Sequence, residues 1–497
     1  MTVIDQEFHR RAARIPHHGL GLSVDVYQPD LFELLDALQR AGLAYGYLEI
    51  FKAATPALAE VRRRLPSTLL EYHAEGLWVT QPDDSIQSQA EAEVITAARH
   101  TQTLGSHWAN FEGASKQIAG YSFGTYLPPL FTRAGAEVSA ENIRWVQRRL
   151  DQLGDGPDRE GPLFLLETPP LTYFGFGDLD MAEFFHRVTE LAPCGLVLDV
   201  GHVWTVYRYS GEWRRHPLRD FVADFLDRFP LERVVHLHVA GLAVHDATPV
   251  EDSTLPVPGE LPWWIDAHGA PIPAILFDML EQILSHPRLK QAKGIALEVD
   301  TKAIPQTVRE FEQFGDRFRW WAGSTPAPSL SGASSRGWDQ EPRSAQGVMT
   351  GDRRDLRRQY EAYARAVAGL DGPASVQLPC RWLESGALEA YRHQYLRHEI
   401  LHWGGELRDM FPETCKDLDR VGIPLALFVE YWFREPRRIE DSYDFFLLKL
   451  GRFVEFVGER LPHALGLATR EATDLRNAYQ AACERVETGS QADTVTS

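Results

Sequence analysis

The chain has 497 residues, 44% apolar and 11% aromatic, which is enough to bury a large core and too long for one ordinary domain. With 51 Lys and Arg against 70 Asp and Glu, its formal net charge is -19, a balance opposed to phosphate-backbone binding, so nucleic acid is not an expected partner. The four cysteines (Cys194, Cys380, Cys415, Cys483) include no CxxC pair, which argues against a disulfide framework or a zinc knuckle.

The N-terminal MTVIDQEFHRRAAR lacks an apolar run of signal-peptide length, and no stretch reaches the roughly 20 apolar residues that span a bilayer. A cytoplasmic protein with no membrane contact is expected. From residue 19 to about residue 322, short apolar runs alternate with amphipathic stretches. Strands are expected at 19–26, 45–51, 69–76, 104–110, 162–168, 195–202, 233–241 and 294–300. Eight strands separated by helices predict a (β/α)₈ TIM barrel, an α/β fold. Helices are expected at 29–41, where Asp30 supports the first turn, at 139–150, where Ser139 and Asn142 bracket the start, and at 305–321. Residues 324–349, rich in Ser, Pro, Gly and Ala, read as a flexible linker between a catalytic domain at 1–323 and a separate all-α domain at 350–485. A disordered tail is expected at 486–497.

Nearly every expected strand ends in an ionisable residue of metal-ligand type. The third gives His73, the fourth His107, the fifth (PLFLLE) Glu167, and the sixth (GLVLDVGH) Asp199 and His202. The seventh (RVVHLHVAG) gives His236 and His238, the eighth (GIALEVD) gives Glu298 and Asp300, and the loop WWIDAHG adds Asp266 and His268. Strand C-termini of this fold converge on one mouth, where its active sites lie. A carboxylate closing an apolar run costs several kcal/mol if buried alone, and these segments hold almost no Arg or Lys to compensate it. Cations are the simplest counter-charge, and mixed carboxylate and imidazole ligands suit iron, manganese or zinc. Taken singly, each has a bland alternative: His73 or His107 as a packed histidine, Glu167 or Glu298 as a salt-bridged strand end, Asp266 and His268 as loop polarity. Glu49, closing the second strand, is placed to orient a ligand by hydrogen bond.

These residues resemble the multinuclear non-heme iron-dependent oxidative enzymes, the family that includes the methanobactin-biosynthesis oxidase. The resemblance covers roughly residues 15–320 by motif order. The family's "gLlLDvnN" strand reads GLVLDVGH here, its "HLAG" reads HVAG at 238–241, its "DxH" loop reads IDAHG, and its "llxExD" strand reads IALEVD. The resemblance implies a barrel that binds two or three irons and uses dioxygen to modify cysteines of a ribosomally made precursor peptide. It also implies His73, His107, Glu167, Asp199, His202, His238, Asp266, His268 and Glu298 as ligands. His236 and Asp300 are candidate catalytic or ligand-supporting groups. The sequence departs from the family at His202, Thr168 and the HAEG of strand three, where the family has asparagine, asparagine and "HGv". Family members often act with a small partner protein, a role a fused helical domain can take over.

In that domain, His398 and His402 flank Glu399 in HEILH, an HExxH-like spacing that also arises as an ordinary polar helix face. A redox-neutral alternative is a sugar isomerase or phosphodiesterase of the xylose-isomerase-like superfamily, with a divalent metal acting as Lewis acid. A peptide-binding scaffold with a vestigial site is the third reading.

Overall fold

The computed structural model describes residues 1–82, 86–154, 160–244, 263–323, 350–371, 382–383, 386–437 and 444–492. Eight parallel strands close a barrel: β1 Gly19–Val24, β2 Tyr47–Phe51, β3 Leu69–Ala74, β4 Trp108–Glu112, β5 Leu163–Glu167, β6 Gly195–Asp199, β7 Val234–Val239 and β8 Gly294–Glu298. They pair in sequence order, and β1 meets β8 to complete the ring (Ser23 opposite Glu298). Most of these strands are buried on both faces, which explains why they read as unbroken apolar runs rather than alternating ones.

The floor of the barrel is packed solid. Tyr47, Trp108, Leu165, Val197, Val235 and Ala296 form a cluster inside it, sealed from below by Phe8, Ala12 and Ile15 of the N-terminal segment. Tyr47 lies so close to β1 and β8 that a Cβ on Gly21 would come within 2.5 Å of its ring and one on Gly294 within 2.7 Å. Glycine at those positions makes room for the ring.

Several sequence expectations shift. The fourth strand starts at Trp108, because the preceding helix runs Ile86–Leu104 and Gly105, at φ +67°, turns the chain out of it. The sixth strand stops at Asp199, whose side chain accepts from the His202 N–H (2.7 Å) and caps the helix Val200–Tyr209. His202 is therefore a first-turn helix residue. The helix expected at 139–150 spans Arg133–Leu153. Its cap is Thr132, and the Ser139 hydroxyl instead donates back to the Gly135 carbonyl at 2.8 Å. Asp30 does cap Leu31–Arg40, accepting from Glu33 N at 2.9 Å.

Three short antiparallel pairs have no counterpart among the expected elements: the hairpin Ser115–Ile118 with Tyr121–Leu127, Leu242–Val244 with Trp264–Asp266, and Phe174–Gly175, after β5, with Trp382–Leu383.

The helical region, expected as a separate domain, shares one continuous hydrophobic cluster with the barrel. It clasps the hairpin after β4: Trp432 Nε1 donates to Ser122 O (2.6 Å), Tyr395 and Thr125 hydroxyls meet at 3.0 Å, and Tyr363 donates to Pro128 O (3.0 Å). Inside this region the buried Lys449 ammonium donates to the carbonyls of Leu401 (3.1 Å), Trp403 (2.7 Å) and Gly405 (2.7 Å), closing the end of the helix Arg397–His402. The expected linker, 324–349, lies outside the described residues. The last helix runs Leu465–Ala492, so residues 486–492 of the expected tail are helical, while 493–497 lie outside the described residues.

Candidate metal centre

The strand ends bring carboxylates and imidazoles together in four overlapping groups. Within each group, one donor atom per residue lies within 4.8 Å of the others. These are Glu49, His73 and His238; Glu167, Asp199, His238 and Glu298; Glu112, Glu167 and His202; and His202, Asp266 and His268. His238, at the centre, contacts Glu167 (2.8 Å) and Glu298 (3.3 Å) through Nδ1 and Glu49 (2.8 Å) through Nε2. His73 Nε2 approaches Glu167 at 3.3 Å and Glu298 at 4.0 Å. His268 Nε2 lies 3.0 Å from Asp266 and 3.7 Å from Glu298, and His202 Nε2 lies 3.4 Å from Asp266.

Among the described residues, the ion pairs of Glu49, Glu167, Asp199, Asp266 and Glu298 are all with histidines. Several carboxylate oxygens are buried without a hydrogen-bond partner among the described residues, including Asp199 Oδ2, Asp266 Oδ1 and Glu112 Oε1. Such atoms are costly unless something positive meets them. The donor set, oxygen and imidazole nitrogen without thiolate, fits a hard or borderline transition metal.

The electrostatics express the same demand. Burial, only partly offset by His202, pushes the Asp199 carboxyl up to about 6. Burial and Glu167 together push Glu112 well up. His73 is raised to about 9: burial opposes its charge, but the hydrogen bond and charge of Glu167 outweigh it. His202, His238 and His268 are raised well above the imidazole range, again against burial, by their neighbouring carboxylates. In the metal-free protein, protons on these rings stand where cations would.

The structure places one expected ligand, His107, in a separate donor group with His18 and Glu71, whose ligand atoms also lie within 4.8 Å of one another. His107 precedes β4, at the opposite end of the barrel, where its Nδ1 meets Glu71 at 2.7 Å beside His18 (2.6 Å to the same oxygen). The strand expected at 104–110 ends two residues too soon, and that slip is what placed His107 near the mouth. With β4 ending at Glu112, its mouth-side polar residues are Asn110, whose Nδ2 donates to Glu167 (2.7 Å), and Glu112. The signal is present in WANFEG, where an acidic residue closes an apolar strand before glycine.

His236 is fully buried one pleat below His238. Its Nε2 lies 2.5 Å from the Tyr47 hydroxyl, its Nδ1 lies 3.3 Å from Glu49, and burial keeps the ring toward its neutral form. Glu49 also accepts from Ser23 (3.0 Å) and Trp108 Nε1 (2.8 Å), so it is fixed from three sides. Asp300 lies just past β8 with a 42% exposed side chain, 3.2 Å from His268 Nδ1. His398 and His402 stack at 4.2 Å between ring centroids on a half-exposed helix face and form no group of three donors among the described residues. Neither buried cysteine described, Cys194 or Cys415, lies among these donors.

The chain is 28% identical over 188 residues to a UPF0276 protein of Pasteurella multocida (strain Pm70), a match covering 36% of this chain and 55% of that one. It is 30% identical over 186 residues to a UPF0276 protein of Neisseria meningitidis serogroup B, covering 37% of this chain and 55% of the relative. The chain thus spans about half the length of these relatives. Among solved structures it is similar to endonuclease IV from Thermus thermophilus (15% identity, TM-score 0.38, 61% of this chain and 100% of that one). It is likewise similar to D-psicose 3-epimerase from Clostridium cellulolyticum (15% identity, TM-score 0.35, 61% and 98%). The family model described as RiPP precursor modification enzyme MbnB/TglH/ChrH matches residues 47–315, more than half of the chain and nearly all of the barrel, and the chain belongs to that family.

Proposed function

We propose that this chain is a multinuclear iron-dependent oxidase that uses dioxygen to modify cysteine residues of a ribosomally synthesised precursor peptide. The observation that carries this reading is the overlap of the donor groups. Glu167, His238 and His202 each belong to two of them, the arrangement expected where neighbouring ions share or abut ligands. His73, Glu167, Asp199, His202, His238, Asp266, His268 and Glu298 would hold the ions, joined by Glu112 from β4. Iron held there supplies one-electron chemistry with dioxygen.

The remaining residues act on orientation and protons. Glu49, anchored by Ser23 and Trp108, fixes the His238 ring, and Tyr47 with His236 supports Glu49 from beneath. Asp300 holds the Nδ1 proton of His268 and, as the solvent-facing member of that pair, is placed to exchange it with water. The helical region from about residue 350 is assigned to precursor recognition in place of a separate partner protein. What supports this is its grip on the hairpin that follows β4.

The test is metal analysis of protein purified without oxygen from iron-supplied cells, followed by oxygen uptake and mass spectrometry with a Cys-containing precursor peptide encoded beside the chain. Two or three irons per chain and a mass change confined to the cysteine region are expected. Manganese or zinc in place of iron, with sugar isomerisation and no oxygen uptake, would instead establish the redox-neutral alternative.

A further inference from the structure

The floor of the barrel carries a donor group of its own, away from the mouth. His18, just before β1, Glu71, within β3, and His107, just before β4, each offer one ligand atom, and these atoms lie within 4.8 Å of one another. His18 Nε2 lies 2.6 Å and His107 Nδ1 2.7 Å from the same oxygen, Glu71 Oε1. The other oxygen, Oε2, accepts from three donors: the Ser106 hydroxyl (2.8 Å), the His107 N–H (2.7 Å) and the Trp108 N–H (3.2 Å). Glu71 is therefore fixed, with Oε1 turned to the two rings. The Trp108 indole donates instead to Glu49 (2.8 Å), on the mouth side, so Trp108 stands between the two groups.

The side chains of His18 and Glu71 are fully buried, whereas that of His107 is 33% exposed. His18 is wedged by Trp108 and Tyr47, at 4.9 and 5.0 Å between ring centroids, and its Nδ1 lies 2.7 Å from the Pro16 carbonyl. A carbonyl can only accept, so Nδ1 carries a proton, and the lone pair of a neutral ring then falls on Nε2. A lone pair 2.6 Å from a carboxylate oxygen is repulsive unless something positive stands between them, either a second ring proton or a metal ion. A backbone carbonyl on one ring nitrogen is also how metal-ligating histidines are oriented, with the other nitrogen left for the ion.

The surroundings admit a cation. A cavity of about 140 Å³ opens on His107, lined also by Arg11, Arg14, Ser106 and Glu160. Its arginines are matched by carboxylates, Arg11 by Glu7 and Asp151 and Arg14 by Glu160, so they do not oppose a positive ion at Glu71.

We propose that His18, Glu71 and His107 form a second metal site, at the floor of the barrel, for one divalent ion of zinc type. Two imidazoles and one carboxylate, with a fourth position left to water from the cavity, make a donor set that zinc takes. The ion replaces the protons between the rings and Oε1, and its binding releases them. The cavity has room for about five waters and none for a peptide, so the ion ties the segment before β1 to β3 and β4 rather than acting on substrate. The site is independent of the reading of the mouth as an iron centre. Open on one side, it exchanges its ion with the buffer, so it fills when zinc is supplied and adds nothing to the ions retained by desalted protein.

The test is zinc uptake by the desalted, metal-loaded full chain and its His107→Gln variant. Zinc chloride is added without oxygen, and zinc and iron are both counted by elemental analysis after equilibrium dialysis. The parent should take up one zinc per chain more than the variant, with iron unchanged; zinc that enters the mouth instead shows as iron lost, alike in both proteins. Affinity for the additional zinc should fall more than about tenfold in the variant, because losing a ligand costs more than losing a ligand's supporting partner. On the parent alone, X-ray absorption at the zinc edge should show two imidazole nitrogens at about 2.0–2.1 Å, a readout that needs no variant. Equal zinc uptake by parent and variant would overturn the proposal, and so would zinc bound without imidazole. A mouth that holds no iron counts against the oxidase reading but leaves this test intact, since zinc then fills the mouth of both proteins and the difference stays at one ion per chain.

Discussion

Removing the metal should make the stability of this protein depend on pH in a way the loaded form does not. Without cations, His73 is held at about 9 against an ordinary 6.5, and His202, His238 and His268 are also raised well above the imidazole range. A group whose folded value lies above its unfolded one contributes stability that is fully present below the unfolded value and is lost as pH rises through the folded one. For His73 that window runs from about 6.5 to about 9, and the shift corresponds to about 3 kcal/mol at 1.36 kcal/mol per unit. The carboxylates held low, Glu167 and Asp266, contribute equally at both ends of the window, and Asp199 at about 6 has mostly titrated below it. Lys449, pushed down to about 7 by burial, works in the opposite direction, but it lies in the helical region and acts alike in both forms. The quantity to measure is therefore the difference: urea unfolding of chelator-treated and metal-loaded protein at pH 6.5 and pH 9. The advantage of the loaded form should widen by about 3 kcal/mol or more across that interval. An advantage that stays constant or narrows would refute the claim that protons and metal compete for these imidazoles.

Glu298→Gln keeps the size of a side chain that touches His238 and His268 while removing its charge, so bound metal per chain should fall with little change in secondary structure. A full metal complement by elemental analysis would contradict that. His107→Ala, at the floor of the barrel, should leave metal content unchanged. It should cost about 1–3 kcal/mol, because a hydrogen bond to the buried Glu71 carboxylate is lost. Loss of metal in that variant would return His107 to the ligand set. Lys449→Met should destabilise the helical region by about 3 kcal/mol or more, leaving three inward-facing carbonyls without their donor. A cost below about 1 kcal/mol in denaturant unfolding would mean water replaces the ammonium there.

The barrel is legible because each of its strands is an apolar run, buried on both faces, that ends in one chemically conspicuous residue. LFLLE and GLVLD announce both a strand and its end, and Glu167 and Asp199 sit there. Legibility fails where strand and helix abut without punctuation. The helix before β4 carries its apolar residues up to Leu104, and a two-residue slip moves the inferred strand end from Glu112 to Asn110, which places His107 at the mouth rather than at the opposite end. His202 shows the opposite case. The sequence pattern puts it on a strand, yet as the third residue after the capping Asp199 it reaches the same mouth from a helix. In a barrel, either route leads to the rim, so placement at the mouth survives an error of secondary structure but not an error of barrel end. The mouth-side hairpins are illegible for a different reason. YSFGTYL lacks the alternation of a half-solvated strand because the helical region covers its outer face, and only the tertiary contacts of Trp432, Tyr395 and Phe445 reveal that. The helical region and the barrel rim thus specify one another. The residues that hold the hairpin lie more than 250 positions further along the chain.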